Sequence, residues 1–173
     1  MDDDALDDVF LHDGYVFTPE SFLTQEVVGK FESCEYGLEE FTHARHLTVA
    51  CWYLCICPRE EALARMRAGL RRFIAHHRKE GYHETITRFW MELLDGYLGG
   101  LPADMPLDAK VKTAVARYGR KDVLFAYYTR ERVMSDAARR EWMEPDLRSL
   151  DDESHRRSSP EEFLQLITSL FDG

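Results

Sequence analysis

Apolar residues recur along most of this chain at intervals of three and four, which is the spacing of one face of an α-helix. The pattern predicts a first helix over residues 19–33 and a second, nearly all-apolar helix over residues 42–57. Pro58 cannot continue the second helix, and it begins an amphipathic third helix that runs to about residue 79. The two short connections predict a tight, antiparallel arrangement of helices.

The remaining chain continues in the same way, with glycine, proline and small polar residues between the apolar segments. Further helices are predicted over residues 82–98, 104–118, 123–128 and 135–142. No alternating strand pattern of useful length occurs, and no long repeat. The prediction is therefore an all-α fold, a single-domain bundle of about six to eight helices joined by short turns.

Composition changes along the chain divide it into four parts. Residues 1–17 form an acidic, extended N-terminal segment, and residues 18–146 form the helical core domain. Residues 147–158 are polar and predict a linker. Residues 159–173 begin with a capping box and predict a C-terminal helix that docks on its own domain or on a second copy of the chain.

Composition and charge exclude several classes of partner. The formal net charge of −10 repels phosphate backbones and anionic lipids, so we expect neither nucleic-acid nor membrane binding. No apolar run reaches the roughly 20 residues that span a bilayer. Three of the four cysteines fall within residues 42–57, where they cannot all pair, and the chain starts with acidic residues. Both features predict a cytoplasmic protein with reduced thiols.

Histidines mark the starts of two apolar helices. Thr42 is a suitable N-cap for the second helix, which places His43 in its first turn and His46 one turn later. His83 follows Gly81 near the start of the helix over residues 82–98. The positive end of a helix disfavours the imidazolium and favours the neutral ring that a metal needs. The sequence therefore predicts His43, His46 and His83 as metal ligands.

The predicted chemistry follows from these donors. Glu84 or Glu40 would be an additional ligand or general base, and a water or substrate would occupy an open metal position. Imidazole with carboxylate suits several divalent transition metals, and helical bundles with such ligands often hold iron. We therefore expect a metal-dependent enzyme with oxidoreductase chemistry on a small molecule, at a mononuclear non-haem iron site or at zinc or copper.

The surroundings of the site are predicted from the same helices. Tyr53, Thr87, Arg88 and Trp90 are the predicted substrate-binding residues because helical spacing places them near the histidines. The two helix starts lie at the same end of the bundle if the helix between them runs the other way.

Several motifs add a resemblance. The sequences FTHxxHL followed by WYL, GYHETITRFW and YYxRERxMSDxARR, within roughly residues 30–150, resemble an uncharacterised family of small bacterial all-helical proteins. The resemblance implies a helical fold and no particular activity.

Two other functions fit the same sequence. A non-catalytic binding protein would hold a small anion with the two helix starts, the histidines and Arg88. A protein-interaction module would use the helix over residues 159–173 to contact a partner, for example in a homodimer.

Overall fold

A computed structural model of the chain describes residues 10–12, 15–17, 19–151, 165, 168 and 169, with side chains from Leu23 onward. The rest of the predicted N-terminal segment, most of the linker and most of the C-terminal helix lie outside the described residues. Two short strands, β1 (Phe10–His12) and β2 (Tyr15–Phe17), pair in an antiparallel hairpin.

The described residues form eight α-helices, which confirms the all-α prediction. A 3₁₀ turn, Lys121–Val123, lies between the fifth and the sixth of these helices. The helices are α1 (Pro19–Glu32), α2 (His43–Ile56), α3 (Arg59–His76), α4 (Glu84–Gly99), α5 (Leu107–Tyr118), α6 (Leu124–Tyr127), α7 (Arg130–Val133) and α8 (Asp136–Arg140). None of the described helices is long and apolar enough to cross a membrane.

Helix α2 lies at the centre of the bundle and packs against α1, α3, α4 and α5. Its apolar residues point in several directions, as expected for a helix covered on more than one side. The Thr42 hydroxyl accepts the Arg45 N–H at 3.5 Å, so the predicted N-cap is confirmed. Pro58 precedes α3, which confirms the predicted turn between α2 and α3.

The predicted starts of two later helices are wrong by two or three residues. Helix α4 starts at Glu84, because the His83 side chain caps it by accepting the Ile86 N–H. Helix α5 starts at Leu107, because the ring of Pro106 disfavours helical geometry at the preceding residue, and no side chain caps this start.

The order of α2, α3 and α4 positions the site. Helix α3 packs on both of the others and short connections join the three. Helices α2 and α4 therefore run in the same direction, and residues from both of their starts line one cavity. This is the arrangement that the two short turns predict.

Candidate functional site

A cavity of about 420 Å³ lies between the first halves of α2 and α4, with walls from α3 and from the chain between α5 and α8. Such a volume lies in the range of small-molecule pockets, roughly 300–1,000 Å³. The lining residues are Phe41, His43, His46, Leu47, Ala50, Met66, Leu70, Ile74, Gly81, Tyr82, His83, Ile86, Thr87, Trp90, Met91, Lys121, Leu124, Phe125 and Met134. His43, His46, His83, Thr87 and Trp90, all predicted for the site, line this one cavity.

The cavity wall changes from polar to apolar along α2. His43 and His46 come first, and Leu47 and Ala50 follow toward the interior. At a rise of 1.5 Å per residue, Ala50 lies about 10 Å deeper than His43 along the helix axis. One wall of the cavity is therefore polar where α2 begins and apolar further in.

The neighbouring helices repeat this gradient. Tyr82 and Thr87 lie near the start of α4, and Met91 lies deeper. Helix α3 runs the opposite way, so its late residue Ile74 lies near the helix starts and Met66 lies near the deep end. The cavity is amphipathic, with its polar groups at the end where α2 and α4 begin.

His43 ties the start of α2 to the end of α5. Its Nε2 lies 2.9 Å from the Tyr118 carbonyl oxygen. Because a carbonyl only accepts, Nε2 carries the proton and donates. The ring also contacts the Trp90 ring edge at 4.7 Å between centroids. Burial lowers the pKa of His43 below its ordinary value, which keeps the ring neutral at pH 7.

His46 is held by an aromatic contact. Its ring stacks on Phe41 with 4.1 Å between centroids. Burial lowers the pKa of His46 to about 4, and the nearby His43 and Lys121 act in the same direction. At neutral pH this ring is an uncharged group on the cavity wall.

Both ring nitrogens of His83 are engaged by backbone groups. Nδ1 accepts the Ile86 N–H at 3.2 Å, and Nε2 donates to the Val133 carbonyl oxygen at 2.8 Å. Burial lowers the pKa of His83, and the neutral ring satisfies both contacts. No lone pair of His83 is left to bind a metal. Through these two hydrogen bonds the ring connects α4 to α7.

Glu84 is paired within a partly buried network. The Arg67 guanidinium contacts both of its carboxylate oxygens, and the Tyr82 hydroxyl donates to Oε2 at 2.6 Å. Burial would raise the pKa of Glu84, but the hydrogen bonds from Arg67 and Tyr82 outweigh it and lower the pKa. The carboxylate is therefore ionised and paired, which does not suit a general base.

The predicted metal ligands are not assembled in this structure. Among the described residues, no three histidine, cysteine, aspartate or glutamate side chains are grouped to hold a metal ion. The nitrogens of His83 and the Nε2 of His43 already contact backbone groups. The donors do not fit a metal as they are arranged, and no reaction step through a metal follows from them. Metal-dependent oxidoreductase chemistry stays a prediction.

Four predicted site residues lie outside the cavity lining, and Glu84, paired with Arg67 and Tyr82, is one of them. Glu40 accepts the Gly37 N–H at 2.6 Å within an exposed turn. The Tyr53 hydroxyl donates to the Glu32 carboxylate at 2.7 Å. Tyr53 follows His43 by ten residues, so its side chain lies about 80° around α2 from that of His43.

Arg88 also points elsewhere. Its guanidinium donates to Glu92 at 2.6 Å and lies over the Trp142 ring, 4.5 Å from the centroid. It follows His83 by five residues, so it lies about 140° around the helix from it.

The sequence predictions missed the cavity wall contributed by residues 121–134. Lys121, Leu124, Phe125 and Met134 come from the 3₁₀ turn, from α6 and from the residue after α7. These elements are too short to show a clear apolar period, and only the packing of the whole chain brings them to the starts of α2 and α4.

No family model, curated protein or solved structure matches this chain. Its function is therefore inferred from the site alone.

Proposed function

We propose that this protein binds a small amphipathic molecule in the cavity between α2, α3 and α4. The observation that carries the proposal is the polarity gradient of a preformed cavity of about 420 Å³. Pockets that are largely apolar with a few convergent polar groups are the usual binding sites of small molecules. Of the alternatives that the sequence allows, a binding protein fits this site best.

The gradient gives the bound molecule a direction. Its apolar body would lie against Leu47, Met66 and Met91, which are all buried. Methionine side chains adapt to irregular ligands because they are unbranched and polarisable. The polar head would lie near His46 and Thr87, at the end where the helices begin.

The rest of the chain is consistent with such a role in a cytoplasm. The four cysteines are free thiols. Burial raises the pKa of Cys51 and of Cys55, which makes these thiols unreactive. No cysteine is among the described lining residues, so the proposal needs no thiol chemistry.

The test blocks the deep end of the cavity. Ala50 is 2% exposed and lines the cavity, so Ala50→Phe places a ring where the ligand body would lie. Ala44→Phe makes the same change on the exposed face of α2 and serves as the matched control. The probes are 4-phenylbutanamide and 4-phenylbutyrate, and their binding is measured by calorimetry and by the shift in melting temperature.

We expect saturable binding of at least one probe to the wild type and to Ala44→Phe, with affinity at least about tenfold weaker in Ala50→Phe. Ile86→Trp, on the half-buried wall of the same cavity, gives a second blocked variant if Ala50→Phe does not fold. Failure of both probes to bind the wild type, or unchanged affinity in a folded blocked variant, would refute the proposed function.

A further inference from the structure

The described lining of the cavity carries a positive charge and no negative one. Lys121 is the one lining residue with a full charge, and no aspartate or glutamate is among the described lining residues. This is unexpected in a chain with 32 acidic and 22 basic residues. With this composition, an average part of the surface would carry net negative charge, so the cavity differs from it in the sign of its charge.

The charged groups nearest to Lys121 in the chain are already paired. Arg120 donates to both carboxylate oxygens of Asp122, at 3.0 and 2.5 Å. Arg120 also donates to the Thr168 hydroxyl at 3.2 Å. Lys121 itself forms no ion pair with any residue that the structure describes. Because the Asp122 carboxylate is neutralised by Arg120, the Lys121 ammonium group keeps its charge available at the cavity.

The position of Lys121 relative to the polar end follows from its neighbours. It lies near enough to His43 and His46 to disfavour protonation of both rings. The amino-terminal end of α2, whose peptide dipoles add positive potential, lies at the same place. The polar end of the cavity therefore combines one ammonium group with neutral imidazoles and a helix start, and none of the lining residues that the structure describes is a carboxylate.

We propose that the ligand is an organic monoanion, an aryl or acyl carboxylate, and that Lys121 determines this specificity as the counter-ion of its head group. The inference rests on the proposed function, since it names the class of molecule that the cavity takes. One ammonium group balances one negative charge. A second charge on the ligand would lose its hydration against neutral groups without a partner.

The test uses two probes of nearly the same shape that differ in charge, 4-phenylbutyrate and 4-phenylbutanamide. By calorimetry at pH 7.5, we expect the wild type to bind the carboxylate about tenfold more tightly than the amide, as for a hydrogen bond to a charged group. Lys121→Met removes the charge and keeps the length of the side chain. It should weaken carboxylate binding about tenfold and leave amide binding unchanged.

Two further variants complete the design. Lys112→Met removes an equal charge from the exposed surface of α5, outside this cavity, and should bind both probes as the wild type does. Lys121→Arg keeps the charge and should retain most of the preference for the carboxylate. The loss in Lys121→Met should also shrink in high salt, where the ion pair is screened.

The outcomes separate the two proposals. If both probes bind the wild type equally and Lys121→Met changes neither affinity, the monoanion inference is refuted and the binding function stands. If Lys121→Met weakens both probes to the same extent, Lys121 shapes the cavity and does not select charge, which also refutes the inference. If neither probe binds, the proposed function and the inference both fail.

Discussion

The starts of α2 and α4 look alike in sequence and act differently in the structure. Each places a histidine at the beginning of an apolar helix, one residue after Thr42 in one case and two residues after Gly81 in the other. At α2, Thr42 is the cap, so His43 stands in the first turn and its ring reaches across to Tyr118. At α4, His83 is itself the cap, and both of its ring nitrogens are hydrogen-bonded to backbone groups.

The difference comes from a shift of one position. A residue at the N-cap has its side chain turned back to the orphan N–H groups of its helix, whereas a residue one position later can point away from them. The start of α4 therefore has a structural role, because His83 connects α4 to α7. The start of α2 supplies neutral rings to the cavity. The comparison teaches that the position of a histidine relative to the helix cap decides whether it is available to a ligand.

The largest expected effect is at the α4 start. His83→Ala removes the cap of α4, leaves the Val133 carbonyl without its donor and deletes a buried ring. A cap and a buried hydrogen bond each contribute about 1 kcal/mol, so we expect the free energy of unfolding to fall by about 2–3 kcal/mol. Urea denaturation followed by circular dichroism measures the loss.

His83→Asn is the matched control for that experiment. Asparagine can cap α4, but it is too short to replace the contact with Val133, so we expect about half of the loss. Equal losses in the two variants would show that the cap is not what His83 contributes.

The second effect concerns the pH dependence of stability at the α2 start. The pKa of His46 is about 4 in the folded protein and near 6.5 when exposed. Between these values the unfolded chain binds a proton that the folded protein does not, so stability is full above pH 6.5 and falls as the pH decreases toward 4. Allowing for partial exposure, we expect His46 to account for about 2 kcal/mol of that fall.

His46→Phe tests this assignment because it keeps an aromatic ring on Phe41 and removes the titrating group. As the pH decreases from 6.5 to 4.5, the free energy of unfolding of this variant should fall by about 2 kcal/mol less than that of the wild type. His76→Gln, at an exposed position on α3, should leave the slope as in the wild type. A slope that is identical in all three proteins would contradict the low pKa of His46.

Much of this architecture can be predicted from the sequence, because the long helices have clear apolar periods and strong boundary residues. Thr42 and Pro58 define both ends of α2, and the two short connections place α2 and α4 side by side. The convergence of His43, His46, Thr87 and Trp90 follows from that arrangement together with helical spacing.

The chemistry of the site could not be predicted in the same way. Whether His83 caps α4 depends on a two-residue difference in where that helix begins, which local propensity does not fix. The partners Tyr118 and Val133 lie 75 and 50 residues away in the chain from His43 and His83. Only the folded chain shows that these backbone carbonyls accept a hydrogen bond from the Nε2 of each ring.

The smallest expected effect is at the cap of α2. The Thr42 hydroxyl accepts the Arg45 N–H at 3.5 Å in an exposed position, which is a long contact compared with the bonds of His83. Thr42→Ala should therefore lower the free energy of unfolding by only about 0.5–1 kcal/mol, and Thr42→Ser should restore most of it. Because His43 stays tied to Tyr118, we expect both variants to keep the probe affinity of the wild type. If Thr42→Ala lowered the free energy of unfolding as much as His83→Ala does, the two helix starts would depend equally on their caps. The contrast between the structural start of α4 and the ligand-facing start of α2 would then be wrong.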